Sequence, residues 1–309
     1  MTHHPRWRRI GVVAVVAGLS TALAACGSSD PTGPSEGAAS GDTIVVGSFN
    51  YPESEILGEI YSQALEAKDF DVEERFNIGP RQQTIPALQD GSINLIPEYN
   101  GNLLTYYDES NTLIETGEID EALVDAVAAD DLRVLDSAPA EDKDAYVVTR
   151  EKAEAEGLTT IADLEKITPF KLGANPQFNE YSYGVPGLNE TYGITDVEFV
   201  PIEDFGGPDT VKALVDDTVQ VADIYTTSPA LVAEDLVVLE DPEGIIAAQN
   251  VIPLVSDAAY SDELADALNA VSAELTTEDL IGLRDRVEGD EKASAETAAA
   301  DWLQEKGLA

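Results

Sequence analysis

The chain has 309 residues, enough for two lobes with cores of their own. It carries 60 Asp and Glu against 17 Lys and Arg, a net charge of −43, which excludes a general nucleic-acid binder because phosphate contacts need cationic side chains. Its one cysteine, Cys26, excludes a disulfide within the chain, and its two histidines, His3 and His4, stand at the N-terminus. The remainder therefore has no histidine for a Ser-His-Asp triad, a Cys-His pair or a His-ligated zinc site.

Arg6, Arg8 and Arg9 precede an apolar run of small residues over 10–25 that ends in Leu23-Ala24-Ala25-Cys26. That is the organisation of a secretory signal, and the run is too short and too rich in Ala and Gly for a membrane span of about 20 apolar residues. The Leu-Ala-Ala-Cys tetrapeptide resembles a bacterial lipobox, which implies cleavage after residue 25 and a lipid on the Cys26 thiol. Residues 27–42 are Gly, Ser, Ala, Pro, Thr and acid, a composition that buries no core and reads as a flexible tether. The expectation is a signal over 1–25, a tether over 26–42 and a folded part held in the extracytoplasmic space at the cell membrane. So acidic a surface suits a salty exterior, where screening is strong.

The folded part opens with Thr43-Ile44-Val45-Val46-Gly47-Ser48, a β-branched strand. Pro52 then stands at a helix N1 position, and Ile56, Leu57, Ile60, Tyr61, Ala64 and Leu65 form a stripe at helical spacing. Val72, Phe76 and Ile78 suggest a strand, and a helix runs from Arg81 to Leu88. Next comes Gly-Ser-Ile-Asn-Leu-Ile-Pro-Glu-Tyr-Asn-Gly over 91–101. Its apolar run is a buried strand whose pairing should stop at Pro97, which has no N–H to give. Tyr99 then lies past the strand's carboxyl end, where open α/β sheets hold their ligands. Residues 108–131 are acidic and partly helical, and 132–135 and 144–149 are strands. A second alternation follows, with strands at 170–174, 197–202, 219–225 and 237–239 and helices at 184–192 and 208–215. Residues 247–255 form a return crossing, and 260–306 are helical with Trp302 and Leu303 near the end.

This order predicts an α/β clamp of two lobes with a ligand cleft between them. Residues 43–142 and 251–309 build lobe 1, and 143–250 build lobe 2, inserted. Such clamps bind small ligands and close by hinge motion. There is no GxxxxGK[ST] loop and no GxGxxG after a strand. Carboxylate pairs carry little information in so acidic a chain. The reading is a binding protein, not an enzyme, with no cofactor.

Val46-Gly47-Ser48-Phe49-Asn50-Tyr51-Pro52-Glu53-Ser54 resembles the opening motif of the ABC-transporter substrate-binding proteins for osmoprotectants. Ile96-Pro97-Glu98-Tyr99-Asn100-Gly101, Asp144-Ala145-Tyr146, the stretch 184–193, Ala222-Asp223-Ile224-Tyr225-Thr226-Thr227 and Leu239-Glu240-Asp241-Pro242 follow in the family's order. The resemblance covers about residues 44–255. It implies the type 2 periplasmic-binding-protein fold, a membrane permease as partner, and a quaternary-ammonium solute such as glycine betaine or choline held in an aromatic cage. A trimethylammonium has no N–H to donate, so aromatic faces hold it, at about 0.5–2 kcal/mol per ring. Carried over by position, the cage falls on Tyr99, Tyr146 and Tyr225. The chain departs from the family at Gln249, where an aromatic is usual, and at Tyr181, where a basic residue is expected; Tyr183 stands nearby to complete the cage. For a ligand carboxylate, Gln82, Gln83 and Thr84 occupy a helix first turn, which favours anions, and Arg81 adds charge. Asn50, Tyr51 and Thr226 are further candidates. The alternative is the same clamp tuned to another small cationic or zwitterionic solute, an amino acid or a polyamine.

Overall fold

The computed structural model describes residues 43–309; the leader, Cys26 and the tether lie outside the described residues. In chain order the elements are β1 (Thr43–Gly47), α1 (Pro52–Glu66), β2 (Asp71–Arg75), α2 (Arg81–Gln89), β3 (Leu95–Tyr99), α3 (Asn100–Tyr107), α4 (Thr116–Ala128) and β4 (Leu132–Val134). Then come β5 (Tyr146–Thr149), α5 (Arg150–Glu156), β6 (Phe170–Ala174), α6 (Val185–Glu190), β7 (Val197–Pro201), α7 (Pro208–Val215), β8 (Val221–Asp223), α8 (Ala230–Ala233) and β9 (Leu236–Val238). The chain ends with β10 (Val251–Ser256), α9 (Asp262–Glu274), α10 (Thr277–Glu288) and α11 (Ala295–Lys306).

The strands form two five-stranded sheets, ordered β2-β1-β3-β10-β4 and β7-β6-β8-β5-β9. β1 runs parallel to β2 and β3, whereas β10 is antiparallel to β3 and β4. The second sheet repeats the plan, with β6 parallel to β7 and β8 and β5 antiparallel to β8 and β9. In each sheet the antiparallel fourth strand is the one that the chain enters from the other lobe.

All five residues of β1 are buried. Ile44 and Val46 point into one core and Val45 into another, so helices cover both faces of the first sheet. The first of those cores takes the α1 stripe together with Leu264 and Leu268 from α9 and Trp302 and Leu303 from α11. The C-terminal helices are thus the cover of the first sheet, which is why both ends of the chain belong to it. Pro52 stands at the start of α1 as its fixed φ suggests.

Two expectations need correction. Pairing does not stop at Pro97: β3 continues to Tyr99 along β10, with Pro97 opposite Pro253. Neither proline has an N–H, and at such a position an antiparallel pair exchanges no hydrogen bond; the Pro253 carbonyl turns away and accepts the Leu135 N–H at 3.0 Å. The return crossing lies before β10 rather than over 247–255, because Val251–Ser256 is buried throughout as a sheet strand.

The crossings are residues 135–145 and 239–250. They pair with each other through the antiparallel bridge of Glu141 to Asn250. The Asp142 N–H donates to the Gln249 carbonyl at 3.1 Å, and Asn250 Nδ2 donates to the Ala138 carbonyl at 2.8 Å.

Candidate functional site

Strand ends meet at these crossings. On the first lobe, β3 delivers Tyr99, 5% exposed, whose hydroxyl donates to Glu53 Oε1 at 2.5 Å. Glu53 is buried in the first turn of α1. Its other oxygen accepts no hydrogen bond and lies 3.6 Å from Arg284 Nη1. Tyr51, the residue before α1, is exposed and stacks on Phe49 with ring centroids 5.6 Å apart. Asn50 beside it is exposed.

On the second lobe, Tyr183 is half-buried and its hydroxyl donates to Asp144 Oδ2 at 3.1 Å. Tyr181, exposed, lies 5.1 Å from the Tyr183 ring. Tyr225 follows β8 and is half-buried, beside a cavity of about 620 Å³ between α7, α8 and α10 that also reaches Phe205 and Arg284. Burial, then the charges of Asp144 and Asp223, push the Tyr225 hydroxyl well above its ordinary pKa.

Asp142, on the first crossing, joins the two sets. It accepts a hydrogen bond from the Thr227 hydroxyl, which in turn accepts one from Arg284 Nη1 at 2.8 Å, the guanidinium that faces Glu53 on the first lobe and the cavity beside Tyr225 on the second. Burial, followed by the neighbouring Glu53 charge, raises the Asp142 carboxyl to about 8, against the opposing pull of the Thr227 hydroxyl, which donates at 2.8 Å, and of Arg284. The structure therefore brings Tyr51, Tyr99, Tyr181, Tyr183 and Tyr225 around a group of carboxylates.

The other sequence candidates sit differently. Tyr146 is fully buried. Along β5, Tyr146 and Val148 face the core of α6 and Phe178, while Ala145 and Val147 face the opposite core. Its hydroxyl donates to the carbonyls of Tyr183 and Gly184, each at 2.9 Å, so it presents no face to the cleft and instead props the loop that carries Tyr183. Gln82 and Gln83 are exposed, and Thr84 is buried. The N–H groups of Gln83 and Thr84 already donate to the Pro80 carbonyl, which leaves fewer free donors for an anion than a helix first turn suggests. Arg81 is held by Glu98 in a two-pronged pair at 2.8 and 2.6 Å, so its charge is cancelled within the protein. Thr226 is buried; its hydroxyl donates to the Glu141 carbonyl and accepts the Lys143 N–H, both at 3.1 Å. It fastens the second lobe to the crossing. Gln249, in place of an aromatic, accepts the Asn102 N–H at 2.9 Å. It caps α3, whose Gly101 lies so close to the crossing that a Cβ there would stand 2.3 Å from the Ala248 carbonyl.

Glu53, Asp142, Asp144, Asp223 and Arg284 were not among the sequence candidates. Asp144 and Asp223 were written beside the tyrosines, in Asp144-Ala145-Tyr146 and Asp223-Ile224-Tyr225. Only burial separates them from dozens of solvated acids. Arg284 lies in the C-terminal helices and gave no signal. Its Nη1 donates to the Thr227 hydroxyl at 2.8 Å, and its Nε to Glu288 at 2.8 Å. Aromatic faces over carboxylates suit an organic cation. Among the described residues no group of three or more ligating side chains is arranged to hold a metal ion.

Residues 42–305 match the family model described as the substrate binding domain of the ABC-type glycine betaine transport system. The chain is 27% identical over 277 residues to the glycine betaine-binding protein YehZ of Escherichia coli (strain K12), covering 85% of this chain and 90% of that protein. The solved structure of apo YehZ superposes with a TM-score of 0.75 over 86% of this chain and 99% of that one. A crystal structure titled as a glycine betaine/carnitine/choline ABC transporter matches with a TM-score of 0.79 at 21% identity, over 86% and 98% of the two chains.

Proposed function

Because the chain belongs to the family of substrate-binding domains of ABC-type glycine betaine transport systems, we propose that it captures a quaternary-ammonium osmoprotectant such as glycine betaine or choline outside the membrane and hands it unchanged to a permease. The observation that carries this reading is a set of tyrosines from both lobes held against buried carboxyls, Tyr99 donating to Glu53 and Tyr183 donating to Asp144, with Tyr225 beside the cavity that Arg284 also lines. Tyr51, Tyr181 and Tyr183 enlarge the aromatic wall, and Tyr146 positions it from beneath. Arg81 and Arg284 both engage carboxylates, so the hollow favours the cationic end of a ligand. Apart from the tyrosine hydroxyls, Asn50, Gln82 and Gln83, all exposed, are the sequence candidates whose polar side chains remain to meet a ligand carboxylate.

Calorimetric titration of glycine betaine and choline tests the reading. Binding should be one-to-one and form no product. Tyr225→Ala should cost about 1–3 kcal/mol of binding, combining the lost cation–π attraction with lost apolar contact, and Tyr225→Phe much less, because the face is kept. Tyr99→Phe should be harmful, because it strips Glu53 Oε1 of its donor in a buried place. Tyr107→Ala, which loses a hydrogen bond to Asp130 on the outer side of lobe 1, should leave affinity unchanged. Parent-like binding by both Tyr99→Ala and Tyr225→Ala would remove the cage. Equal losses for Phe and Ala at Tyr225 would point to a hydrogen-bonding ammonium solute, an amino acid or a polyamine.

The lipid anchor belongs to the same reading. Among the described residues no helix is long and apolar enough to cross a membrane, and Leu23-Ala24-Ala25-Cys26 supplies the lipobox. Cell fractionation should find Cys26→Ser released to the medium or left uncleaved; a mature, membrane-bound variant would rule the anchor out.

A further inference from the structure

We propose that the Asp144–Asp223 carboxyl pair is the counter-charge for the ligand's cation, and that capture of the cation expels a proton which the empty pair shares. This deepens the reading above and rests on it.

Asp223 is the last residue of β8 and is 2% exposed. Its Oδ1 is buried and has no hydrogen-bond donor among the described residues. Asp223 is paired with Tyr146 across β8 and β5, and Asp144, two residues before Tyr146, faces the same side of the sheet, so the two carboxyls are diagonal neighbours. Two ionised carboxylates at that separation repel, so the empty pair holds one proton between them. That proton satisfies Oδ1 and removes the anomaly of an orphaned buried acceptor. Burial, the largest cause, raises both groups above the ordinary carboxylate range; the neighbouring Asp144 charge raises Asp223 further, whereas hydrogen bonding to Asp223 and Tyr183 pulls Asp144 back down.

The groups facing the pair add no positive charge. Tyr183 donates to Asp144 Oδ2, and Tyr146, Tyr181 and Tyr225 all feel the field of both aspartates. Asp142 approaches from the crossing through Tyr225, and Asp241 through Tyr146. Lys143, the nearest cation in sequence, is paired with Glu141 at 2.8 Å. Arg284 is turned toward Glu53, Glu288 and Thr227. The Glu53–Asp142 pair therefore has a built-in cation in Arg284, whereas among the described residues Asp144 and Asp223 form no ion pair. Tyr183 donates to Asp144 and its ring lies 5.1 Å from that of Tyr181, so the pair adjoins the aromatic wall against which a ligand's diffuse positive charge would rest. A quaternary ammonium has no proton to share, so it replaces the bridging proton as a charge and both carboxylates ionise. The proton leaves to the solvent.

The test is calorimetric titration of choline chloride, and separately glycine betaine, into the protein near neutral pH in phosphate and in Tris, whose heats of ionisation differ. The expected result is an observed heat that differs between buffers by the equivalent of about one proton released per ligand. Affinity should rise with pH, because the bound state holds fewer protons. In Asp223→Asn the buffer dependence should vanish and affinity fall about tenfold or more; in Asp142→Asn the dependence should persist. Binding with heats independent of buffer and pH in the parent protein would overturn the inference while leaving the osmoprotectant reading intact. So would a buffer dependence that survives in both Asp144→Asn and Asp223→Asn, or one that Asp142→Asn abolishes. No heat with either solute would overturn both. The buffer comparison on the parent protein decides the matter even if a variant does not fold.

Discussion

Arg81→Ala should lower the stability of the protein by about 3–5 kcal/mol, read as a fall in denaturant midpoint at unchanged slope. Glu98 is fully buried on β3, and both of its oxygens are held by the Arg81 fork. Removing the guanidinium strands a carboxylate that cannot reach water, and the cost is that of an unpaired buried charge rather than of one lost contact. The guanidinium also lies 5.5 Å over the Phe49 ring, so the loop leading to Tyr51 loses a support. Replacing both partners by apolar residues, Arg81→Met with Glu98→Leu, should recover most of the loss, because nothing charged is then left buried. If Arg81→Ala weakens binding without unfolding the protein more easily, the arginine serves the ligand and not the sheet.

Gly184→Ala should cost about 3 kcal/mol or more, at the upper end for overpacking, and should weaken ligand binding at the same time. A Cβ at residue 184 would stand 1.8 Å from the Phe178 carbonyl oxygen. Backbone cannot yield as a side-chain tip can, so the loop over residues 178–184 must move. That loop carries Tyr181 and Tyr183, and its carbonyls at 183 and 184 receive the Tyr146 hydroxyl. Thermal unfolding and calorimetric titration of the same variant check both effects. A stable variant with parent-like affinity would show that the loop has more slack than its packing implies. Gly282 in α10, where a Cβ meets nothing within 4 Å and the backbone is helical, is the comparison site at which Ala should carry no packing cost.

The architecture was legible because it rests on repeated local signals. Alternating strand and helix patterns, Pro52 at a helix start and the apolar run of β1 each say the same thing about the backbone, and agreement across levels is what a foldable sequence offers. Pro97 misled because its meaning depends on a strand far away in sequence: only the arrival of Pro253 opposite it makes its missing N–H harmless. The site divides along the same line. Tyr99 closes β3 and Tyr225 follows β8 by two residues, positions that strand and motif spacing made legible in the sequence. The orientation of Tyr146 was not, because one-residue alternation along β5 decides which core it enters. The carboxylates were hidden by composition. Asp223 and Asp142 look like every other acid until tertiary burial raises the cost of their charge, and no spacing in the sequence encodes that burial.

The order in which this chain supplies its strands also governs how it can fold. A chain fed from its N-terminus releases β5 through β9 as one uninterrupted block, so the second sheet can be completed while the first is still missing its fourth strand. Until residues 251–256 emerge, β3 has one open edge, and Trp302 and Leu303 are later still. The inserted lobe, which depends on nothing downstream of it for its own sheet, is therefore the natural first folding unit. The N-terminal half must wait, with an exposed strand edge prone to pairing with other chains, for contacts that are among the longest-range in the molecule and so the slowest to form.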